Sequence, residues 1–233
     1  MNPAFMGRTG SPLSIASLAA WYWANALGFK DTGAITPVAV DSDNVALRKD
    51  LSGNGRDMSQ ATGSTQPLWK LNQQNGFPAD QFDGVDDVLA FAGAGLGQPA
   101  WEFVAFKLLA TPAGNHTVID GAAQNQSRIY VNAALGINVF AGAGLVDSIA
   151  LSTGTMYIVA SRFNGASSSL QVNNRTVITG DAGASAVTGL RTGSDGSQFC
   201  NCQVFERIRY QRDLAQAEAD FVRNLLNARY GAW

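Results

Sequence analysis

The chain has 233 residues, a length that suits one large β-sheet domain. Hydrophobic residues make up 46% of it and charged residues 15%, and 16 Lys and Arg against 18 Asp and Glu leave a net charge of -2. Because no basic run offers phosphate neutralisation, we expect no nucleic-acid partner. No apolar stretch reaches the length of a membrane span, so we expect no membrane partner either.

The first twelve residues differ from the rest. Residues 1–12 contain Pro and Gly without periodicity, which predicts an extended N-terminal arm, and residues 13–233 form the single predicted domain. Phe5, Met6 and Arg8 offer two apolar anchors and a charge, so we expect the arm to bind a partner protein; a frayed terminus is the alternative. No basic region precedes a clean apolar stretch, so no standard secretory signal is predicted.

The remaining chain alternates short apolar runs with small-residue turns, which predicts an antiparallel sandwich and one closing helix. The predicted strands are 13–23, 44–47, 85–91, 101–109, 117–120, 127–132, 135–140, 156–163, 170–173, 176–178 and 202–210. The helix is predicted to begin near Asp213, capped by an Asp-x-x-Gln box, and to end at Gly231. Its predicted apolar stripe consists of Leu214, Phe221, Val222, Leu225 and Leu226.

Several phrases, in a fixed order, resemble one family. They are Leu51-Ser52-Gly53-Asn54-Gly55-Arg56-Asp57, Gln60, Gln66-Pro67, Phe82-Asp83-Gly84 with Asp86, Asp87 and Leu89, the strand 14–23, the hairpin 163–173, and 204–231. Together they resemble the laminin-G-like jelly roll of the concanavalin A-like lectin and glucanase superfamily. The resemblance implies an all-β, two-sheet antiparallel jelly roll with a C-terminal amphipathic helix. It does not fix a function, because this fold carries lectins, hydrolases and structural modules.

Catalytic residues are not indicated by the sequence. The Glu-x-Asp-x-x-Glu strand motif of the superfamily's glucanases is absent, and His116 is expected to be an exposed loop residue without a nucleophile. Glu206 lies in a predicted strand and is expected to be a structural carboxylate bonded to backbone or Arg. We therefore expect the chain not to be an enzyme and to use no cofactor.

Metal and sulfur chemistry are not indicated either. Asp83, Asp86, Asp87 and Asn54 are oxygen donors of the kind that calcium prefers, but such residues also form turns, so we assign no metal. Cys200 and Cys202 lie two apart in a predicted strand, where a disulfide would need a distorted ring, so free thiols are expected.

A sugar site would use an aromatic ring with nearby Asn or Asp side chains. The candidate ligand-binding residues are Trp69, Trp101, Asp120, Tyr130 and Asn132. For each of them a place in the core or on an ordinary surface is the alternative.

Modules resembling this one occur in large secreted bacterial proteins and as stand-alone proteins of bacteriophage particles. Our first expectation is a non-catalytic bacteriophage virion protein, such as a capsid decoration or fibre-type component. It would be a homo-oligomer in the virion and would bind other capsid or tail proteins. The alternative is a carbohydrate-binding, lectin-like module that recognises a surface glycan and is secreted or on the cell surface. A glycan hydrolase is the third hypothesis.

Overall fold

A computed structural model describes residues 10–233 of the chain. In this part of the chain two antiparallel sheets of nine strands pack face to face, and one helix lies at the C-terminal end. The predicted all-β sandwich with a C-terminal helix is therefore confirmed. Phe5, Met6 and Arg8 lie outside the described residues, so the role proposed for the arm stays a prediction.

The strands are numbered in chain order. The first nine are β1 (Leu18–Trp23), β2 (Gly28–Phe29), β3 (Asp43–Asn44), β4 (Leu47–Arg48), β5 (Met58–Ser59), β6 (Leu68–Gln74), β7 (Phe77–Asp83), β8 (Leu89–Ala92) and β9 (Ala100–Leu108). The others are β10 (His116–Asp120), β11 (Arg128–Val131), β12 (Ile137–Phe140), β13 (Gly144–Asp147), β14 (Met156–Phe163), β15 (Ser168–Val172), β16 (Ile178–Gly180), β17 (Gly189–Thr192) and β18 (Asn201–Tyr210). The helix α1 spans Gln216–Tyr230.

The strands form two sheets. Sheet A has the order β16-β15-β14-β9-β18-β7-β6-β3, with β1 also paired to β18. Sheet B has the order β13-β12-β11-β10-β17-β8-β5-β4-β2. The predicted pairing of 156–163 with 170–173 is confirmed by the β14–β15 ladder. Crossovers between the sheets join strands that are distant in sequence, as expected for a sandwich.

Sheet A is buried on both faces, which explains its long apolar strands. In β9, Val104, Phe106 and Leu108 belong to the core between the sheets, whereas Phe103 and Ala105 belong to a second core beneath α1. Successive side chains of a strand point to opposite faces, so one apolar run supplies both cores. The helix therefore covers the side of sheet A that faces away from sheet B.

A bulge in β18 interrupts the regular alternation of its side chains. Regular alternation would place Cys202, Val204 and Glu206 on one face, but the register with β9 shifts between Val204 and Glu206. Cys202 and Val204 then face the core between the sheets, while Phe205 lies beneath the helix. Because a bulge inserts an extra residue, it reverses the side on which the following residues lie. Arg207 is thereby turned into the space between the sheets, where it is 1% exposed.

The helix begins and packs differently from the prediction. The Asp213 carboxylate accepts a hydrogen bond from Trp101 Nε1 at 3.3 Å rather than capping a helix. The Ala215 amide donates to the Glu218 carboxylate at 2.9 Å, which satisfies one free amide at the helix start. Phe221 is 36% exposed, so the predicted stripe is wrong at this position. The buried stripe is formed by Ala219, Val222, Leu226 and Tyr230.

Several strands were not predicted, among them β2, β5, β6, β13 and β17. An Asn75-Gly76 turn joins β6 to β7 in sheet A, and β17 lies within a segment expected to be loop. The Asp83-Gly84 turn is present, but it leads from β7 in sheet A to β8 in sheet B, so the predicted strand 85–91 shortens to Leu89–Ala92.

The first described residues pack on the sandwich. Ser11 and Pro12, which the sequence places in the arm, are buried, and Tyr210 donates a hydrogen bond to the Pro12 carbonyl at 2.9 Å. Within residues 10–233, no helix is long and apolar enough to cross a membrane.

Candidate functional site

The outward side of sheet B is the surface on which the candidate site lies. Ile129 and Val131 of β11 and Val139 of β12 belong to the core between the sheets. Because side chains alternate, the residues between and beside them point outward. We call the outward residues Arg128, Tyr130, Asn138, Phe140 and Arg191 the outer face of sheet B. No helix within the described chain covers this face, in contrast to sheet A.

Tyr130 lies at the centre of β11 on this face. It pairs with Thr117 of β10 on one side and with Asn138 of β12 on the other. The Arg128 guanidinium carbon lies 4.2 Å from the centroid of the Tyr130 ring. A cation on an aromatic ring at this distance is attracted by the ring and fixes its orientation. Tyr130 is only half-buried, so it remains accessible to a ligand.

Arg128 is a site residue that the sequence did not suggest. It is 5% exposed, and its Nε donates to Thr117 Oγ1 at 2.8 Å. Its guanidinium also contacts the side chains of Asn125, at 3.3 Å, and of Gln198. Arg128 therefore ties β11 to two loops that border the outer face, 121–127 and 193–199. No local sequence signal distinguishes this Arg, because its partners come from distant segments.

Asp120 organises the first of these loops. It is fully buried, and its carboxylate accepts hydrogen bonds from the amides of Gly121 (2.7 Å), Asn125 (2.7 Å), Gln126 (3.0 Å) and Ser127 (3.1 Å). Burial raises the pKa of this carboxyl, although the four amides oppose the effect. Asp120 is therefore placed to position the loop, not to contact a ligand itself.

Asp195 organises the second loop in a similar way. Its carboxylate accepts from the amides of Ser197 at 2.9 Å and Gln198 at 2.8 Å, and it forms an ion pair with Arg128 at 3.2 Å. Desolvation alone would raise the pKa of Asp195, but these amides and the guanidinium hold it below its ordinary value. Gln124 bridges the two loops by donating to Ser197 Oγ at 2.5 Å. The border of the outer face is thus preorganised.

Asn132, the next candidate after Tyr130, has a local role. Its Oδ1 accepts hydrogen bonds from the amides of Ala134 and Gly136, both at 3.0 Å, in the turn between β11 and β12. This is the usual way in which Asn stabilises a turn. Asn132 therefore lies next to the outer face but its side-chain oxygen is already used.

The two Trp candidates lie elsewhere. Trp101 is 6% exposed beneath α1 and stacks on Phe103 with ring centroids 5.7 Å apart, so its ring is not available to a sugar. Trp69 packs against the core between the sheets, and its Nε1 donates to the Ala24 carbonyl at 2.8 Å. The burial of Trp101 and the distant position of Trp69 on β6 separate both from Tyr130.

The two residues considered for proton transfer also have defined surroundings. Glu206 is 1% exposed and accepts hydrogen bonds from Trp21 Nε1 (2.7 Å), Arg229 and Tyr230 Oη (2.9 Å), which confirms its expected structural role. His116 was expected in an exposed loop, but it begins β10 and is half-buried. Its Nδ1 is buried without a hydrogen-bond partner, and desolvation lowers the pKa of the ring.

The acidic and sulfur groups lie apart from this face. Side-chain oxygens of Asp83, Asp86 and Asp87 lie within 4.8 Å of one another and could supply ligands to a cation. Asn54 does not belong to this cluster, since its side-chain amide donates to the carbonyls of Leu18 and Ala19. Burial, with the neighbouring carboxylates, raises the pKa of Asp87 to about 6. As predicted, the cysteines are free, and both are buried.

Comparisons with known proteins identify solved structures that share this fold. No family model and no curated protein matches the chain. Among solved structures, Trypanosoma rangeli sialidase superposes with a TM-score of 0.63 and 13% identity over 92% of this chain and 33% of its own. The same sialidase in complex with sialic acid gives 0.62 and 12%, covering 98% and 35%. A GH54 α-L-arabinofuranosidase variant soaked with 4-nitrophenyl α-L-arabinofuranoside gives 0.58 and 16%, covering 80% and 51%.

The fold is therefore a β-sandwich of the kind found in these glycoside hydrolases. At such identities the likeness is one of fold, and the chain spans about a third of the length of the sialidase chains that it matches. The activity of those proteins is not transferred to this chain by the fold alone.

Two sequence expectations are nevertheless overturned. The expectation of a non-catalytic bacteriophage virion protein is wrong, because the solved structures that share the fold include a sialidase and an arabinofuranosidase, which point to a glycan-active protein. The exclusion of enzyme activity is wrong for the same reason. The missing Glu-x-Asp-x-x-Glu motif excludes one arrangement of carboxylates, whereas glycoside hydrolysis uses several arrangements and, in sialidases, a Tyr nucleophile. The virion location and its partner proteins stay untested predictions.

Proposed function

We propose that the chain is a lectin-like carbohydrate-binding module of the laminin-G-like type and that the outer face of sheet B binds the glycan. The observation that carries the proposal is the half-buried Tyr130 ring, oriented by Arg128 on a sheet face that no described helix covers. The structural neighbours support the glycan class, since they include a sialidase and an arabinofuranosidase, which act on sugars.

The chemistry of the face suits a sugar. A sugar ring combines apolar C–H faces with hydroxyl groups, so it needs an amphipathic aromatic surface beside polar donors and acceptors. Tyr130 supplies a large ring with a polar end at a low entropy cost. Phe140 adds a second half-buried ring on β12, two residues along from Asn138. The side-chain amides of Asn125 and Gln198 stand on the bordering loops. Their oxygens accept hydrogen bonds from Arg128, so it is their NH2 groups that offer donors to a ligand.

The borders of the face are ordered before any ligand binds. The Asp120 and Asp195 carboxylates hold the two loops through backbone amides, and Gln124 joins the loops through Ser197. Binding then orders few new side chains, so less of the interaction energy is lost to entropy. A surface of this kind binds without a large conformational change.

The experiment compares two aromatic residues with similar surroundings. Trp233 is 38% exposed and has the Arg223 guanidinium carbon 5.4 Å from its ring centroid, but it follows the end of α1 rather than lying on sheet B. A glycan array with the wild-type protein identifies the ligands, and calorimetric titration of each hit measures affinity. Tyr130→Ala should weaken binding at least tenfold, equivalent to about 1.4 kcal/mol. Trp233→Ala should leave it unchanged.

The proposal is contradicted if the array gives no hit, or if every hit binds Tyr130→Ala as tightly as wild type. Thermal unfolding of both variants shows whether the fold is retained. Because the structural neighbours are hydrolases, release of reducing sugar from each hit is measured in the same samples.

A further inference from the structure

Most Lys and Arg side chains of residues 10–233 are paired with carboxylates. Within residues 10–233, Arg56, Lys107 and Arg191 are the ones without a carboxylate oxygen within 4.0 Å. Arg56 donates to the Ala19 carbonyl, and Lys107 lies over the Phe205 ring on the helix side of sheet A. Arg191 alone of the three lies on the outer face of sheet B.

Arg191 is held in place by the 193–199 loop. Its Nη1 donates to the Asp195 carbonyl at 2.6 Å. Gly196 approaches so closely that a Cβ there would lie 2.4 Å from Nη1, and its φ of +100° also favours glycine. The guanidinium is therefore fixed by one nitrogen. Its Nε and Nη2 donate to no atom of the described residues. These two nitrogens form one edge of the guanidinium, a two-donor fork that is free to bind a ligand.

The nearby acids do not use this fork. Asp120 pairs with Arg191 across β10 and β17, but it is fully buried and its oxygens accept four loop amides. Asp195 is 1% exposed and its carboxylate is bound to Arg128 and to amides of its own loop. Neither carboxylate presents an oxygen to solvent, so the exposed charge at this end of the face is positive.

We infer that the ligand of the outer face is an acidic oligosaccharide whose carboxylate binds the free Nε and Nη2 of Arg191. The inference rests on the proposed function. A planar guanidinium fork matches a carboxylate through two parallel hydrogen bonds, and charge assistance makes these stronger than bonds to a hydroxyl. Arg191 lies two strands away from Tyr130 and two residues further along the strand direction. The spacing between strands and the rise per residue put the two residues roughly 12 Å apart. A ligand that contacts both is therefore longer than one sugar ring.

The test uses acidic glycans and their neutral counterparts. Oligogalacturonides and glucuronate-containing oligosaccharides are titrated beside the same molecules after reduction of the carboxyl to an alcohol, and sialyllactose is titrated beside lactose. At least one acidic member should bind ten times more tightly than its neutral partner. Arg191→Gln should remove that difference, and Arg191→Lys should restore only part of it, because a point charge lacks the fork. Lys107→Gln, which removes an unpaired cation elsewhere, should bind as wild type does.

The outcomes separate the two proposals. Equal binding of acidic and neutral partners, or an acidic preference that survives in Arg191→Gln, overturns the carboxylate inference while the glycan site stands. Loss of both acidic and neutral binding in Tyr130→Ala supports the site itself. Failure of the wild-type protein to bind any member of the panel or of the glycan array overturns both. Thermal unfolding of Arg191→Gln confirms that the loop change leaves the fold intact.

Discussion

The Glu206 carboxylate links α1 to sheet A, and its removal tests how the helix is held. Glu206 is 1% exposed, and the Arg229 side chain that binds it is 7% exposed. In Glu206→Gln the amide keeps the shape of the side chain but leaves the Arg229 charge buried without a counter-charge. Breaking a buried ion pair in this way costs about 3–5 kcal/mol. For a domain of this size that loss lowers Tm by about 6–20 °C.

Urea unfolding followed by circular dichroism, with calorimetry for Tm, measures the effect. Asp220→Asn is the matched control, because it also removes a carboxylate paired with an Arg of the helix, Arg223. The Asp220 side chain is 43% exposed, and exposed pairs contribute at most about 1 kcal/mol. The double variant Glu206→Gln with Arg229→Met should be more stable than Glu206→Gln, since neither charge then remains buried. A loss below about 1 kcal/mol in Glu206→Gln, the level of a surface change, would refute the reasoning.

For the following variants, burial and charge determine whether the substitution stabilises or destabilises the fold. Leu226→Ala should destabilise the fold by about 2–5 kcal/mol, whereas Phe221→Ala, on the exposed side of α1, should cost less than about 1 kcal/mol; the reverse order in urea unfolding would place the helix the other way round. Burial raises the pKa of Asp87 from 3.8 to about 6, so the folded state loses stability as the pH rises between these values, and the loss is complete above about pH 6. Asp87→Asn should therefore stabilise the fold by up to about 3 kcal/mol at pH 7, with no gain below about pH 4. An equal gain in the free energy of unfolding at both pH values would disprove the role given to the Asp87 charge. The pKa of Asp195 is held below 3.8, so the stability from its Arg128 pair should be present above that pH and lost as pH falls. Asp195→Asn should flatten the acid limb of the stability curve; an unchanged limb would count against the ion pair.

The parts of the fold that the sequence predicts are those with local signals. Strands β9 and β14 are long and largely apolar, β18 alternates apolar with polar residues, and the hairpin at Asn164-Gly165 has a turn dipeptide. The Asn75-Gly76 turn offers the same signal for the β6–β7 hairpin, which was overlooked. The bulge at Phe205 has no signal of this kind, because it depends on pairing with β9. It places Arg207 on the side opposite to the one that regular alternation from Val204 would give.

The candidate site was predictable only in part. Tyr130 and Asp120 were selected by residue type, and the structure places one on the outer face and the other beneath its bordering loop. Trp101 was selected by the same criterion but is in the core, since composition does not tell an exposed ring from a buried one. Arg128 and Arg191 became recognisable only when the fold brought the 193–199 loop against β11 and β17.

The claim that glycans bind the outer face of sheet B is tested most directly by mapping a bound ligand. Amide shifts of the ¹⁵N-labelled protein are followed in NMR spectra during titration with an oligosaccharide selected on the array. We predict that the largest changes fall in β11, β12 and the loops 121–127 and 193–199, and that Tyr130→Ala removes them. Changes centred on α1, on Trp69 or on the β6–β7 hairpin, with the outer face unaffected, would contradict the account.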